Sequence, residues 1–361
     1  MGRFTIPDKP KYKFTKEQLS QRQKILNKKI EHLNYDDLKD AAPLIDAFCK
    51  TSFQARQLGK GAKLYKKELE KETTIIWSLA GSIFSAGLRK LVIESIRNNI
   101  VDCLVCTGAL FEQDMLEALG HKHYAQTSKI DDGILQSLLI DRIYDHLLDE
   151  LELQHVDLTY KKIAELLPPG NYSSREFMHE CGKWLSKTKN SGDSVMLAAY
   201  EMNIPIFIPA LNDCSIGIGL AMNQAESDNG ICIDSIKDLR EIAMMKNLCG
   251  ASGIIIVGGG VPKNYSQDSV VMAEMLGYNV EKHKFGIQIS TADSRDGGLS
   301  GSTLKEAISW GKNDHEMEEI MIWGEASVYF PLLLSYVHMV KRNNKKELNK
   351  RINTNKLKKR K

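Results

Sequence analysis

Hydrophobic positions change their spacing near residue 74 of this 361-residue chain. Before it, apolar residues are sparse and helically spaced, as at Leu19, Ile25, Leu26, Ile30 and Leu33. After it come short apolar runs that read as strands: 74–80, 101–107, 204–211, 231–234, 253–257, 285–291 and 320–324. Several are apolar without alternation, which suits parallel strands covered on both faces. Between them lie amphipathic segments with helical periodicity at 87–98, 235–247, 267–276 and 326–338. Strands alternating with helices predict an α/β fold, a Rossmann-like doubly wound, mostly parallel sheet.

A polar helical section, roughly 120–190, interrupts the alternation. It reads as a helix over 132–152, a Pro168-Pro169-Gly170 break and a second helix over 174–186. The expected organisation is an N-terminal helical segment, 1–73, and a nucleotide-binding domain, 74–340, carrying that insertion. The helices outside the sheet are expected to cap its C-terminal edge, where ligands bind in such folds.

Charge adds a third segment. The last 21 residues hold eleven Lys or Arg and one Glu, so 341–361 carries +10 and reads as a basic disordered tail. The chain total is +3, which leaves −7 on the other 340 residues and suits a cationic ligand. Nucleic acid could use the tail, but a solvated extension is the commoner role for such a segment. The chain has no apolar run of membrane-spanning length and no signal-type N-terminus, so a soluble, cytoplasmic protein is expected. Cys103 and Cys106 form a C-x-x-C pair, but on a strand they face opposite ways, and structural thiols are the expectation. No metal set is expected.

Chemistry concentrates at strand ends. Thr107-Gly108-Ala109, with Glu112 and Gln113 on the next turn, follows one strand. Asp213 follows another, Gly258-Gly259-Gly260 a third, and Thr291-Ala292 a fourth. Glycines admit a phosphate close to backbone amides, and an Asp can hold ribose hydroxyls, so a nucleotide cofactor is indicated. Further on, Glu306 and Ser309-Trp310-Gly311-Lys312 follow a loop of small residues. A lysine beside an aromatic wall is a candidate amine nucleophile.

Taken together these segments resemble the deoxyhypusine synthase family, over about residues 48–338. The likeness includes Ser52-Phe53-Gln54-Ala55-Arg56, Ser85-Ala86-Gly87-Leu88-Arg89, Ser309-Trp310-Gly311-Lys312 and Phe330-Pro331-Leu332-Leu333. The resemblance implies a homotetramer of tight dimers with active sites at the dimer interface. It implies an NAD-dependent transfer of the aminobutyl group of spermidine, through an imine on Lys312, to a lysine of a translation factor. The implied NAD set is Gly81, Ser82, Ser85, Thr107, Gly108, Ala109, Asp213, Gly259, Thr291, Ala292, Asp296, Ser300, Glu325 and Ala326. The implied amine set is Glu112, Gln113, Asn264, Gly297, Glu306 and Trp310.

Departures from the family pattern fall mostly on the amine side. Ile218 and Leu299 stand where the family has Asp, Asn264 where it has His, Gln113 where it has Glu and Gln288 where it has Tyr. On the cofactor side Glu325 replaces an Asp, and Gly81-Ser82 replaces Ser-Asn. The pattern resembles the deoxyhypusine synthase-like branch. It leaves three options for function: transfer to a protein lysine, transfer to a small amine as in homospermidine-forming relatives, or NAD binding without catalysis. Asp293 or Asp296 is expected to replace the missing acids if the amine site is intact.

Overall fold

The computed structural model describes residues 4–227, 230–342 and 345–354. Six parallel strands form the central sheet, in the spatial order Asn313–Trp323, His283–Ser290, Ser252–Val257, Thr74–Leu79, Cys103–Cys106, Ile206–Phe207. Counted along the chain, this order is 6-5-4-1-2-3, the doubly wound Rossmann arrangement. The strands Thr74–Leu79 and Ser252–Val257 are buried throughout, as their unbroken apolar runs require.

Both faces are covered. Trp77 points to one, where its indole N–H donates to the Tyr65 hydroxyl at 3.0 Å and its ring meets Phe330 edge-on at 5.2 Å. Tyr65 belongs to the Phe53–Glu70 helix, which lies so close that a Cβ on Gly61 would already touch Ile287, Ile320 and Ile322. Ile76, next along the strand, points to the other face. There it joins Val105, Phe207, Ile242 and Met245, together with Leu348 and Ile352.

Those last two residues correct the reading of 341–361 as a disordered tail. Leu348–Thr354 is a helix, and Leu348 and Ile352, spaced four apart, are both buried. The buried Arg342 donates to Asp102 Oδ2 at 3.0 Å and to the Asn99 carbonyl at 3.0 Å. Residues 355–361 lie outside the described set.

Three further expectations change. The 231–234 run forms a strand, but Ile231–Ile233 pairs with Gly170–Tyr172 in a separate two-stranded sheet. Of the 204–211 run only Ile206–Phe207 joins the main sheet, at its edge, because Pro205 and Pro209 offer no N–H for a ladder. The 132–152 helix is instead a short helix, Asp132–Ser137, then an antiparallel hairpin of Ile140–Ile143 and His146–Asp149. A long helix, Glu150–Glu165, follows. Tyr124–Ala125 completes this second sheet.

The N-terminal segment clasps this insertion. The Ala125 N–H donates to the Lys28 carbonyl at 2.8 Å, and the Ile30 N–H to the His123 carbonyl at 3.0 Å. Arg22 pairs with Asp149. The Leu33 N–H donates to the Gly87 carbonyl at 2.9 Å, which sets the segment beside the turn that follows the first strand. Among the described residues no helix is long and apolar enough to cross a membrane. All seven cysteines are free thiols, and burial pushes the Cys103 and Cys106 thiols far up.

Candidate active site

The sheet order reverses between Thr74–Leu79 and Ser252–Val257, and a crevice must open where consecutive connections leave in opposite directions. A cavity of about 550 Å³ lies there, lined by Gly81 and Ser82 from one strand end and Gly258, Gly259 and Gly260 from the other. Thr107, Gly108, Ala109, Asp213 and Ser300 complete its polar wall. The helices Gly108–Ala118 and Gly260–Met275 both begin in this wall. Their unpaired first-turn amides and dipoles suit an anion such as a pyrophosphate.

Two observations test the fit of a dinucleotide. Thr107 Oγ1 is buried with no hydrogen-bond partner, a polar atom left for a ligand. A Cβ on Gly259 would stand 2.5 Å from Ser300 Cα, so glycine alone permits that close wall. Asp213 supplies a carboxylate of the kind that binds ribose hydroxyls. The lining fits a dinucleotide.

Beside it lies a second cavity, about 430 Å³, lined by Lys263, Asn264, Gln267, Asp268, Gly297, Leu299, Ser302, Glu306, Trp310 and Lys312. One helix serves both spaces: Gly260–Met275 starts at the first cavity, and its next turns place Lys263, Asn264, Gln267 and Asp268 in the second. One loop also serves both, with Ser300 facing the first and Leu299 and Ser302 the second. Gln288 fixes that loop, donating from Nε2 to the Gly258 and Ser300 carbonyls at 2.9 Å each.

Lys312 emerges just after the short helix Glu306–Ser309. Gly311 closes that helix with φ +74°, a conformation that favours glycine. Lys312 Nζ donates to Asn264 Oδ1 at 2.7 Å and lies 2.9 Å from Asp268 Oδ1. Asn264 Nδ2 donates in turn to Asp268 Oδ2 at 2.7 Å, which closes a three-membered ring of contacts. The Trp310 ring centroid is 5.5 Å from Lys312 Nζ, within cation–π range. Lys263 Nζ is buried and donates to the Ser302 carbonyl; burial pulls its ammonium down to about 8, partly opposed by Glu306.

A desolvated amine pocket beside a dinucleotide crevice invites comparison with known families. The family model for deoxyhypusine synthase matches residues 43–337. This chain belongs to the deoxyhypusine synthase family. A deoxyhypusine synthase-like protein of Chlorobaculum parvum is 44% identical over 326 residues, 89% of this chain and 93% of that protein. One from Coxiella burnetii is 44% identical over 320 residues, 88% of this chain and 90% of its own length. The fold likeness extends to a solved deoxyhypusine synthase structure from Entamoeba histolytica. Its TM-score is 0.56 at 19% identity, covering 88% of this chain and 99% of that one.

The deoxyhypusine synthase residues expected from sequence divide by position. Gly81, Ser82, Thr107, Gly108, Ala109, Asp213, Gly259 and Ser300 share the first cavity. Asn264, Gly297, Glu306, Trp310 and Lys312 share the second. Others stand apart from both linings. Ser85 is buried, its hydroxyl donating to the Ser82 carbonyl at 2.8 Å. The Ala292 N–H is taken by Ser290 Oγ, and the exposed Asp296 accepts from the Gly298 N–H at 2.7 Å. Thr291, next to Ala292, is exposed and outside both linings. Glu325 caps the Ala326–Leu334 helix through the Ser327 N–H.

Two residues of the expected amine set, Glu112 and Gln113, stand outside both linings. Glu112 accepts the Ser215 N–H at 3.0 Å and so caps the Ser215–Glu226 helix, with burial raising its carboxyl. Gln113 is buried and accepts the Ser85 N–H at 3.0 Å. Neither Asp293, which pairs with Arg295, nor Asp296 lines the cavity; Asp268 does, together with Glu306. The sequence signal for Asp268 was its spacing of four from Asn264, one helical turn.

Proposed function

We propose that the protein is an NAD-dependent transferase. It would move an aminobutyl or related alkyl-amine group from spermidine or a similar amine, through an imine on Lys312, to a lysine of a translation factor. The observation that carries this reading is Lys312 itself. Its amine sits in a cavity whose helix and loop also wall the dinucleotide crevice. Gly108, Ala109 and Gly259 would hold the pyrophosphate, and Asp213 a ribose. When bound, NAD would take a hydride from the nitrogen-bearing carbon of the donor and later return it, so the transfer is redox-neutral overall.

The chain's own residues supply the rest. The free amine of Lys312 adds to the carbon–nitrogen double bond of the oxidised donor. The bond to the departing amine then breaks, and that amine leaves with the proton Lys312 gave up. An acceptor amine reverses the exchange and frees Lys312. Trp310 walls the cation, and Glu306 offers a carboxylate to an ammonium. The homotetramer of the family belongs to the same proposal.

A second reading keeps the chemistry and changes the acceptor to a small amine. Leu299 lining the cavity, where the family has an acid, marks an amine site that differs from the family's own and leaves the acceptor open. Mass spectrometry of products from the purified protein with NAD, spermidine and the hypusine-bearing factor separates the two. Modification of the factor's lysine supports protein transfer; a new polyamine without it supports the small acceptor. Cofactor binding with no product from any amine would overturn both.

A further inference from the structure

The resting site holds its nucleophile against an acid. An ammonium hydrogen-bonded to a carboxylate has no free lone pair, and Lys312 Nζ touches both Asp268 at 2.9 Å and Asn264 at 2.7 Å. Something must remove it from that carboxylate before the proposed imine can form. Asp268 is also the better exposed partner: its side chain is 35% accessible against 12% for Lys312. A ligand entering the cavity therefore reaches the acid readily.

Asn264 prepares the acid for a cation. Its amide accepts from Lys312 through Oδ1 and donates to Asp268 through Nδ2, so both ends are committed. The donated bond fixes Asp268 Oδ2 and leaves Oδ1 as the oxygen facing an ammonium. A donor amine carries the same functional group that Lys312 now places there. The exchange swaps one charge-assisted hydrogen bond for another of the same kind, which makes it nearly balanced in energy. The lysine it releases stays beside Trp310, inside the cavity lined by Glu306.

We propose that Asp268 is the specificity-determining carboxylate of this site: it receives a terminal alkylammonium of the donor, which displaces Lys312 from it, while Asn264 holds the carboxylate in place. This rests on the transferase reading for its purpose, but its physical content is a competition between two ammonium groups for one acid. The substrate class it selects is primary alkylamines with a free, charged end.

The competition gives an unusual signature. Binding of 1,4-diaminobutane to the full-length protein, followed by calorimetry without added cofactor, is the readout. Removing the competitor in Lys312→Met should tighten binding about tenfold. Asp268→Asn should change affinity little in the otherwise unchanged protein, where the exchange is nearly balanced, and abolish the gain in the Lys312→Met background. Glu306→Gln should lower affinity by the same factor with and without Lys312→Met, so the tenfold ratio survives, which separates displacement from a general change in cavity charge. Asp268→Glu in the Lys312→Met background should keep part of the gain, and circular dichroism melts confirm that each variant is folded. Equal affinity in Lys312→Met and the unchanged protein would overturn the proposal, as would a gain that survives Asp268→Asn. Because no covalent step is read, these outcomes stand whether or not an imine ever forms on Lys312.

Discussion

Gln288 Nε2 bridges the Gly258 carbonyl and the Ser300 carbonyl, at 2.9 Å to each, and so ties the glycine turn of the dinucleotide crevice to the loop that also walls the lysine cavity. The bridge is buried, and both carbonyls depend on it. Gln288→Leu should cost about 1–3 kcal/mol of stability by leaving them unsatisfied. Gln288→Glu should cost more, because an ionised carboxylate would face two carbonyl oxygens. Thermal unfolding gives the ranking, and NAD titration should show weaker binding in both variants. A Gln288→Glu protein as stable as the parent would refute this role.

Gly259→Ala tests the wall between the cavities. The new methyl would stand 2.5 Å from Ser300 Cα, so backbone has to move rather than a flexible side chain. NAD affinity should fall by tenfold or more while the melting temperature drops only a few degrees. Fluorescence titration with NAD checks it, and unchanged affinity would show that Ser300 is not part of that wall.

Lys263 gives a pH signature in stability. Burial lowers its ammonium to about 8 from 10.5, so between those values the unfolded chain binds more protons than the folded one. Stability therefore rises with pH through that window, and the charged form is penalised below it. Lys263→Met should be more stable than the parent at pH 7, by at most about 3 kcal/mol, with the gain fading towards pH 10. Denaturant unfolding at several pH values measures the difference. A gain independent of pH would place its origin in packing instead.

The C-terminal segment should be structural. Asp102 is buried, accepts the Ile75 N–H at 2.8 Å and pairs with Arg342 at 3.0 Å. Arg342→Met leaves that carboxylate without its cation and should cost about 3–5 kcal/mol. Urea unfolding of this variant, compared with Asp102→Asn/Arg342→Met, should show partial recovery in the double variant.

The doubly wound sheet was legible because fully buried parallel strands leave an unmistakable record of unbroken apolar residues, as in Ile254-Ile255-Ile256-Val257. Its neighbours were harder. The Ile140–Asp149 hairpin turns through Tyr144 at φ +50° with no glycine or asparagine to announce it, and its leucines also fit a helical period. Ile231–Ile233 has the composition of a core strand but pairs elsewhere, a choice made by tertiary contacts. The basic tail hid Leu348 and Ile352 among eleven cations.

For the site, glycines at strand ends pointed to the crevice, and the Trp310-Gly311-Lys312 run pointed to the lysine. Asp268 escaped notice because it lies inside a helix, two turns from the strand end, where an acid ordinarily faces solvent. Its contact with Lys312 depends on chain segments 44 residues apart meeting in space.

In the proposed reaction Lys312 carries the transferred group. The purified protein, incubated with NAD and spermidine or another primary alkylamine and then reduced with borohydride, should yield a peptide containing Lys312 heavier by the alkyl-amine fragment. Omitting NAD, or using Lys312→Ala, should abolish that mass shift. An adduct on Lys263 in place of Lys312, or NAD reduction by an amine with no adduct on any lysine, would contradict the account.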